Sequence, residues 1–278
     1  MRGVRLLLLM ITVLLCLWGC RPDEQVGQES KAAPSTDPSA SEGSANVAAT
    51  QESTEETATQ ETTLPADIHA PFYLEGFTLE QVVAYFAEVV LDTEYSSGEG
   101  NVHVVQKWTK PICYIMHGDA TQKDREKLEE LFAQLNAVEG FPGIEVAPAP
   151  IAANLTLNFY NREDFQTYFG RVVNYEDADG AVEYWYYNAT NQIYNASVGY
   201  RTDIDQYTRN SVLLEEVING LGITDTKLRE DSITYQGFSQ TQELSEMDWL
   251  ILRLLYHPDI KCGMNLEQCR AVIEKLYY

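Results

Sequence analysis

"LLEEVINGLGITD", Leu213 to Asp225, is the stretch on which the reading of this chain turns. Leu214, Val217, Ile218 and Leu221 fall on one side of a 3.6-residue repeat, so the stretch is the second half of a core-facing helix that starts near Asp205. Gly222 ends it. Glu215 and Asn219 lie at i and i+4, one turn apart on one face, and Glu216 lies beside them. Asp225 follows three residues after the glycine. Two polar side chains on one helix face, a carboxylate next to them and a further carboxylate returned by a tight turn can converge on one point. The plainer alternative is a set of polar residues on a partly exposed helix face, with Asp225 capping the next turn.

Beyond that helix the chain is mainly helical. Ser232-Ile233-Thr234-Tyr235 opens an irregular stretch. Ser245 then caps a helix with Asp248 near its N-terminus and Met247, Leu250, Ile251, Leu254 and Leu255 as its buried face. Pro258 stops it, and Asn265 caps a last helix carrying Cys269, Val272, Ile273 and Leu276. Before the helix, strands dominate. "GAVEYWYYN" and "QIYNASVGYRTD" predict two strands joined by "NATN". "NLTLNFYN" alternates, with Leu155, Leu157 and Phe159 on one face and Thr156 and Asn158 on the other. "IEVAPAP" predicts a further strand, and "KPICYIMHG" one entered through Pro111. A short helix is expected at 163–169. Thr121 caps a helix striped by Leu128, Leu131, Phe132 and Leu135, and the capping box Thr78 to Gln81 opens another over 78–92. The order predicts an α+β domain with a mixed twisted sheet and helices gathered towards the C-terminus.

Not all 278 residues belong to that domain. Arg2 and Arg5 precede an apolar run from Leu6 to Trp18, the pattern of an export signal over 1–19. The run is too short for a comfortable membrane span, which takes about 20 apolar residues. Leu17-Trp18-Gly19-Cys20 resembles a bacterial lipoprotein box, so Cys20 is the expected lipidated residue and membrane anchor; an ordinary signal or an uncleaved anchor is the alternative. Residues 20–65 are rich in Ser, Thr, Ala and Glu and predict an acidic tether, leaving 66–278 as the globular domain. A net charge of −23 disfavours nucleic acid and anionic lipid surfaces as partners. Cys262 and Cys269 flank a short loop and are candidates for a disulfide or for two reduced thiols. Cys113 sits in an apolar run and reads as core.

The spacing of Glu215, Glu216, Asn219, Gly222 and Asp225 resembles the active-site helix of the metzincin zinc proteases. There the residues at i, i+4 and i+10 bind zinc, i+1 is the general base and the glycine turns the chain. Only Glu216 and Gly222 keep the residue type. Ser232-Ile233-Thr234-Tyr235 is similar to the turn beneath the metal, with Thr234 for methionine, and "LSEMDWLILRLLYHP" resembles the helix that follows. A closer resemblance is to bacterial lipoproteins grouped as domain of unknown function 2927. It rests on Trp108 with Pro111, Ala153-Asn154, the Glu-Glu helix with Leu-Gly, Asp231 to Ile233, Asp248 with Leu-Leu-Tyr and Pro, and Gly263-Met264, and covers about 76–265. The two resemblances imply a metzincin-like fold around a central active-site-type helix, and no reaction.

Glu215, Asn219 and Asp225 are a poor zinc set, because zinc favours His, Cys and carboxylate. The histidines, His69, His103, His117 and His257, lie elsewhere. Two carboxylates and an amide suit calcium better, yet three oxygens are few for it. The expectation is therefore a membrane-anchored extracytoplasmic lipoprotein with a non-catalytic binding domain and no cofactor. Its partner would be an extended peptide or cell-envelope protein, added to an edge strand placed around Ile193 to Tyr200. The alternative is an atypical metal-dependent peptidase, holding zinc or calcium, with Glu216 as general base. "YWYY", Tyr184 to Tyr187, is either an aromatic platform or an ordinary half-buried strand.

Overall fold

Each of the six α-helices among the described residues begins at a side chain that accepts a hydrogen bond from its own first turn. Thr78 opens α1 (Leu79–Phe86), Thr121 opens α2 (Gln122–Asn136) and Asn161 opens α3 (Arg162–Phe169). Asp205, Ser245 and Asn265 do the same for α4 (Gln206–Gly220), α5 (Glu246–Tyr256) and α6 (Leu266–Leu276). These acceptors satisfy amides that have no partner within the helix. The computed structural model describes residues 72–91, 103–172, 178–237 and 241–277, all within one compact unit, Gln60–Tyr278. The expected signal over 1–19, Cys20 and the tether over 20–65 lie outside the described residues.

The strands are β1 (Lys107–Trp108), β2 (Ile112–Gly118), β3 (Ile144–Val146), β4 (Leu155–Tyr160), β5 (Gly180–Tyr187) and β6 (Gln192–Arg201). They form one mixed sheet. β2 pairs in parallel with β3 and β4, and β4 pairs in parallel with β6. β5 runs antiparallel along β6. β1 lies beside the start of β6, with Trp108 opposite Ile193. The fold is thus α+β, as the order of elements predicts, and its mixed sheet is mostly parallel. "IEVAPAP" gives only three strand residues, because Pro148 and Pro150 remove ladder donors and the chain turns into a short 3-10 helix, Pro150–Ala152.

One expectation is corrected here. The segment from Ile193 to Tyr200 is not an edge, because β6 is paired with β5 on one side and with β1 and β4 on the other. The edge beside α4 is β5, whose only strand partner among the described residues is β6. Its antiparallel run leaves the other row of backbone groups unpaired in the sheet.

Helices cover both faces. Val198 and Gly199 point to opposite sides of β6. Gly220 of α4 packs against Val198 and Val182, and the Phe169 ring of α3 lies on Gly199. The first helix ends at Phe86 and widens into a π turn, Ala87–Leu91, instead of continuing regularly to residue 92. Among the described residues no helix is long and apolar enough to cross a membrane.

The C-terminal ends of α4 and α5 are closed from outside. The Trp108 indole donates to the Gly220 carbonyl at 2.9 Å, and the Tyr256 hydroxyl donates to the Leu221 carbonyl at 2.9 Å. Lys107, 7% exposed, sends its ammonium to the carbonyls of Leu255 and Ile260, each at 2.6 Å. A helix leaves its last carbonyls without internal donors, and these three side chains supply them.

Candidate functional site

α4 is fixed at both ends before any polar residue on it is considered. Near its start, Arg209 pairs with the wholly buried Asp124 at the head of α2, at 2.8 Å. Burial alone would raise the Asp124 pKa; hydrogen bonds from Gln206, Thr121 and Arg209 outweigh it and hold the carboxyl below its ordinary value. At its far end the chain reverses through Gly222, at φ +102°. A Cβ there would stand 2.3 Å from the Gln106 carbonyl oxygen, so only glycine fits. The sharp glycine turn expected after the helix is present.

That turn brings Asp225 back to the helix. Asn219 donates through Nδ2 to Asp225 Oδ1 at 2.9 Å, while its own Oδ1 is buried without a donor. Glu215 is half-buried, and Glu216 is 8% exposed. Burial pushes the Glu215 carboxyl well above its ordinary pKa, and the charge of Asp225 adds to the push. The Glu216 carboxyl is raised by burial first, then by Glu215 and Asp225. The predicted residues Glu215, Glu216, Asn219 and Asp225 are therefore brought together. Glu216 also lies against the first residue of β5: a Cβ on Gly180 would meet Glu216 Oε1 at 2.6 Å.

The chain after Asp225 is held by its own set of bonds. Thr226 and Tyr235 form an isolated parallel bridge, with the Thr226 amide donating to the Thr234 carbonyl at 2.8 Å. Ser232 and Thr234 are buried. Ser232 donates to Asp248 Oδ1 at 2.6 Å, and the Ile233 amide donates to Asp248 Oδ2 at 3.1 Å. Asp248 also closes the capping box of α5, so one carboxylate ties the helix start to this turn. The π turn of the first helix adds Glu88, whose Oε1 accepts from the Thr226 hydroxyl and the Lys227 amide at 3.2 and 2.8 Å.

Two of these positions were invisible in the sequence. Lys107 stands between Gln106 and Trp108 in "VQKW", and Glu88 between Ala87 and Val89. For Glu88 a charged residue inside an apolar run was the only signal, and it does not say which distant group is met; for Lys107 the surrounding sequence carried none.

Burial pulls Lys107 down to a pKa of about 8. It lines a cavity of about 430 Å³ together with Tyr256, Cys262, Thr190 and Gln192. Cys262 and Cys269 are free thiols near this lysine, the first turned towards the Lys107 carbonyl at 3.7 Å and the second buried.

The residues in the ligand positions do not fit zinc. No histidine or thiolate is among them, and Asn219 turns its amide hydrogens on Asp225, so two of the three groups engage each other. What the arrangement offers is a concentration of hydrogen-bond acceptors beside a sheet edge.

Comparison with curated proteins and with solved structures returns no match. The family model described as Protein of unknown function (DUF2927) matches residues 79–275, from the first residue of α1 to the last turn of α6, and the chain belongs to that family.

Proposed function

We propose that this protein is a lipoprotein held by Cys20 at the extracytoplasmic side of a membrane, and that its domain is a metzincin-like binding module without catalytic metal. It takes up an extended peptide, part of a cell-envelope protein, along the outer edge of β5. The observation that carries this reading is that edge: an antiparallel strand beside α4, paired among the described residues with β6 alone, next to ligand positions closed by the Asn219–Asp225 hydrogen bond. Strand addition needs only backbone donors and acceptors, so it survives loss of a metal. The Gly222 turn, the Ser232–Tyr235 turn anchored by Asp248 and the mixed sheet with one antiparallel edge all support the metzincin-like reading.

The test is hydrogen exchange on the full chain with randomised extended heptapeptides. Binding along the edge slows exchange of outward amides in 180–187. A proline at whichever of Glu183 and Tyr184 turns its N–H outward removes the effect. Unchanged β5 amides at saturating peptide sink the reading. A second reading, a metal-dependent peptidase with Glu216 as general base, is favoured by that carboxyl's burial beside the edge. It requires chelator-sensitive peptide hydrolysis that Glu216→Gln abolishes.

A further inference from the structure

The chain carries 42 acidic and 19 basic residues, yet the cavity beside Lys107 has no acidic side chain among its described lining residues. Its walls come from β1, from the loops after α2 and α5, and from the turn between β5 and β6. Two of the lining residues, Lys107 and Lys261, are cationic. Glu139 and Asp259 adjoin lining residues in sequence, but both are exposed and neither belongs to the lining. The cavity's 430 Å³ lies towards the low end of small-molecule sites, which run from about 300 to 1,000 Å³.

The charge of Lys107 is unmatched. Its N–H groups are satisfied by the carbonyls of Leu255 and Ile260 at 2.6 Å and of His257 at 3.5 Å. Neutral carbonyls occupy the hydrogens and leave the full charge in place. Among the described residues the ammonium has no ion pair with a carboxylate; burial acts on it first, then Cys262, Lys261 and Cys269. A buried cation without a counter-ion is costly, and an anion brought to the cavity offsets that cost.

Other lining groups have donors to give. Lys261 is exposed and sends its ammonium to the Pro258 carbonyl, one bond for a group with three donors. The hydroxyls of Thr109 and Thr190 and the amide of Gln192 make no side-chain hydrogen bond among the described residues. Trp108, Pro142 and Ile260 contribute apolar surface. The net charge of −23 repels polyanions from the molecule as a whole, so the anion that gains most here is small and singly charged.

We infer that this cavity binds a small organic carboxylate with a compact apolar body, held through its oxygens by Lys261 and the uncharged donors of the lining, with Lys107 supplying fixed positive charge from the wall. The site stands without the peptide-binding reading.

The experiment uses the full chain and probes paired by shape: phenylacetate against phenylacetamide, and hexanoate against hexanamide, with inorganic phosphate as a further arm. Affinity is read by calorimetry. Place is read from backbone amide shifts and from the rate at which iodoacetamide alkylates Cys262, with Cys113 as the reference thiol. The expected result is a carboxylate that binds at least about tenfold tighter than its amide. It shifts the amides of Thr109, Thr190 and Gln192, slows alkylation of Cys262 and leaves Cys113 unchanged. Lys261→Gln, at an exposed position, keeps the urea midpoint and brings the preference below about threefold. Lys107 is left in place because it closes the end of α5. Carboxylates that bind no tighter than their amides overturn the inference, as does a preference that Lys261→Gln leaves intact. Shifts confined to other parts of the chain overturn it as well. Phosphate that binds tighter than every carboxylate overturns the ligand class.

Discussion

At the scale of single residues, Glu216 and Gly222 make opposite demands on stability. Glu216 is buried among carboxyls, so its folded pKa lies above the ordinary value of 4.5. The folded chain then keeps a proton that the unfolded chain has released. The resulting stability is full below about 4.5 and is lost as pH rises through the folded pKa. Glu216→Gln is expected to stabilise the protein by about 1–2 kcal/mol at pH 8 and by almost nothing at pH 4.5, in urea melts at the two values. Gly222 has no such latitude. Gly222→Ala places a methyl group on the Gln106 carbonyl and forces a positive φ on an L-residue, with an expected loss of about 2–4 kcal/mol by the same measurement. Both residues were legible in the sequence, because a helix period and a glycine at its end are local signals. The Asn219–Asp225 hydrogen bond was not, since spacing brings two groups to one region without saying which atoms meet. Lys107 and Glu88 were hidden for a related reason: their partners are 148 and 138 residues away along the chain.

Between elements, the joint of α2 and α4 is the pair Asp124–Arg209. It is almost wholly buried, with side-chain exposures of 0% and 6%. Removing one partner leaves the other charge buried alone. Asp124→Asn is expected to cost about 3–5 kcal/mol at neutral pH. The Asp124 pKa is depressed, so this stabilisation is present above the ordinary carboxylate value of 3.8 and is lost as pH falls through the folded pKa. Thermal melts of the two proteins converge in acid. The elements themselves were largely readable: each helix start carried its capping residue, and the alternation in "NLTLNFYN" placed β4 on the correct faces. Sheet order was not readable. β6 looked like an edge because it precedes the helix, but the antiparallel return of β5 covers it, and nothing local distinguishes a covered strand from an uncovered one. The π turn also escaped notice, because Val82, Phe86, Val89 and Val90 fit an ordinary helical repeat equally well.

For the molecule as a whole, charge is the dominant long-range property. A net −23 repels itself in the folded state. Raising NaCl from about 0.01 to 1 M shortens the screening length from about 30 to 3 Å and is expected to raise the melting temperature, because relief of repulsion exceeds the weakening of a few surface ion pairs. A fall would mean that ion pairs govern stability. Formal charges are not the whole field at the α4 cluster. The peptide groups of α4 are aligned, and their negative pole lies at Gly220, one residue past Asn219. Trp108 and Tyr256 hold that end with neutral donors, which satisfy the carbonyls without cancelling the pole. Acidification that discharges the glutamates therefore leaves a residual pull on cations, written in the backbone and beyond the reach of any carboxyl substitution.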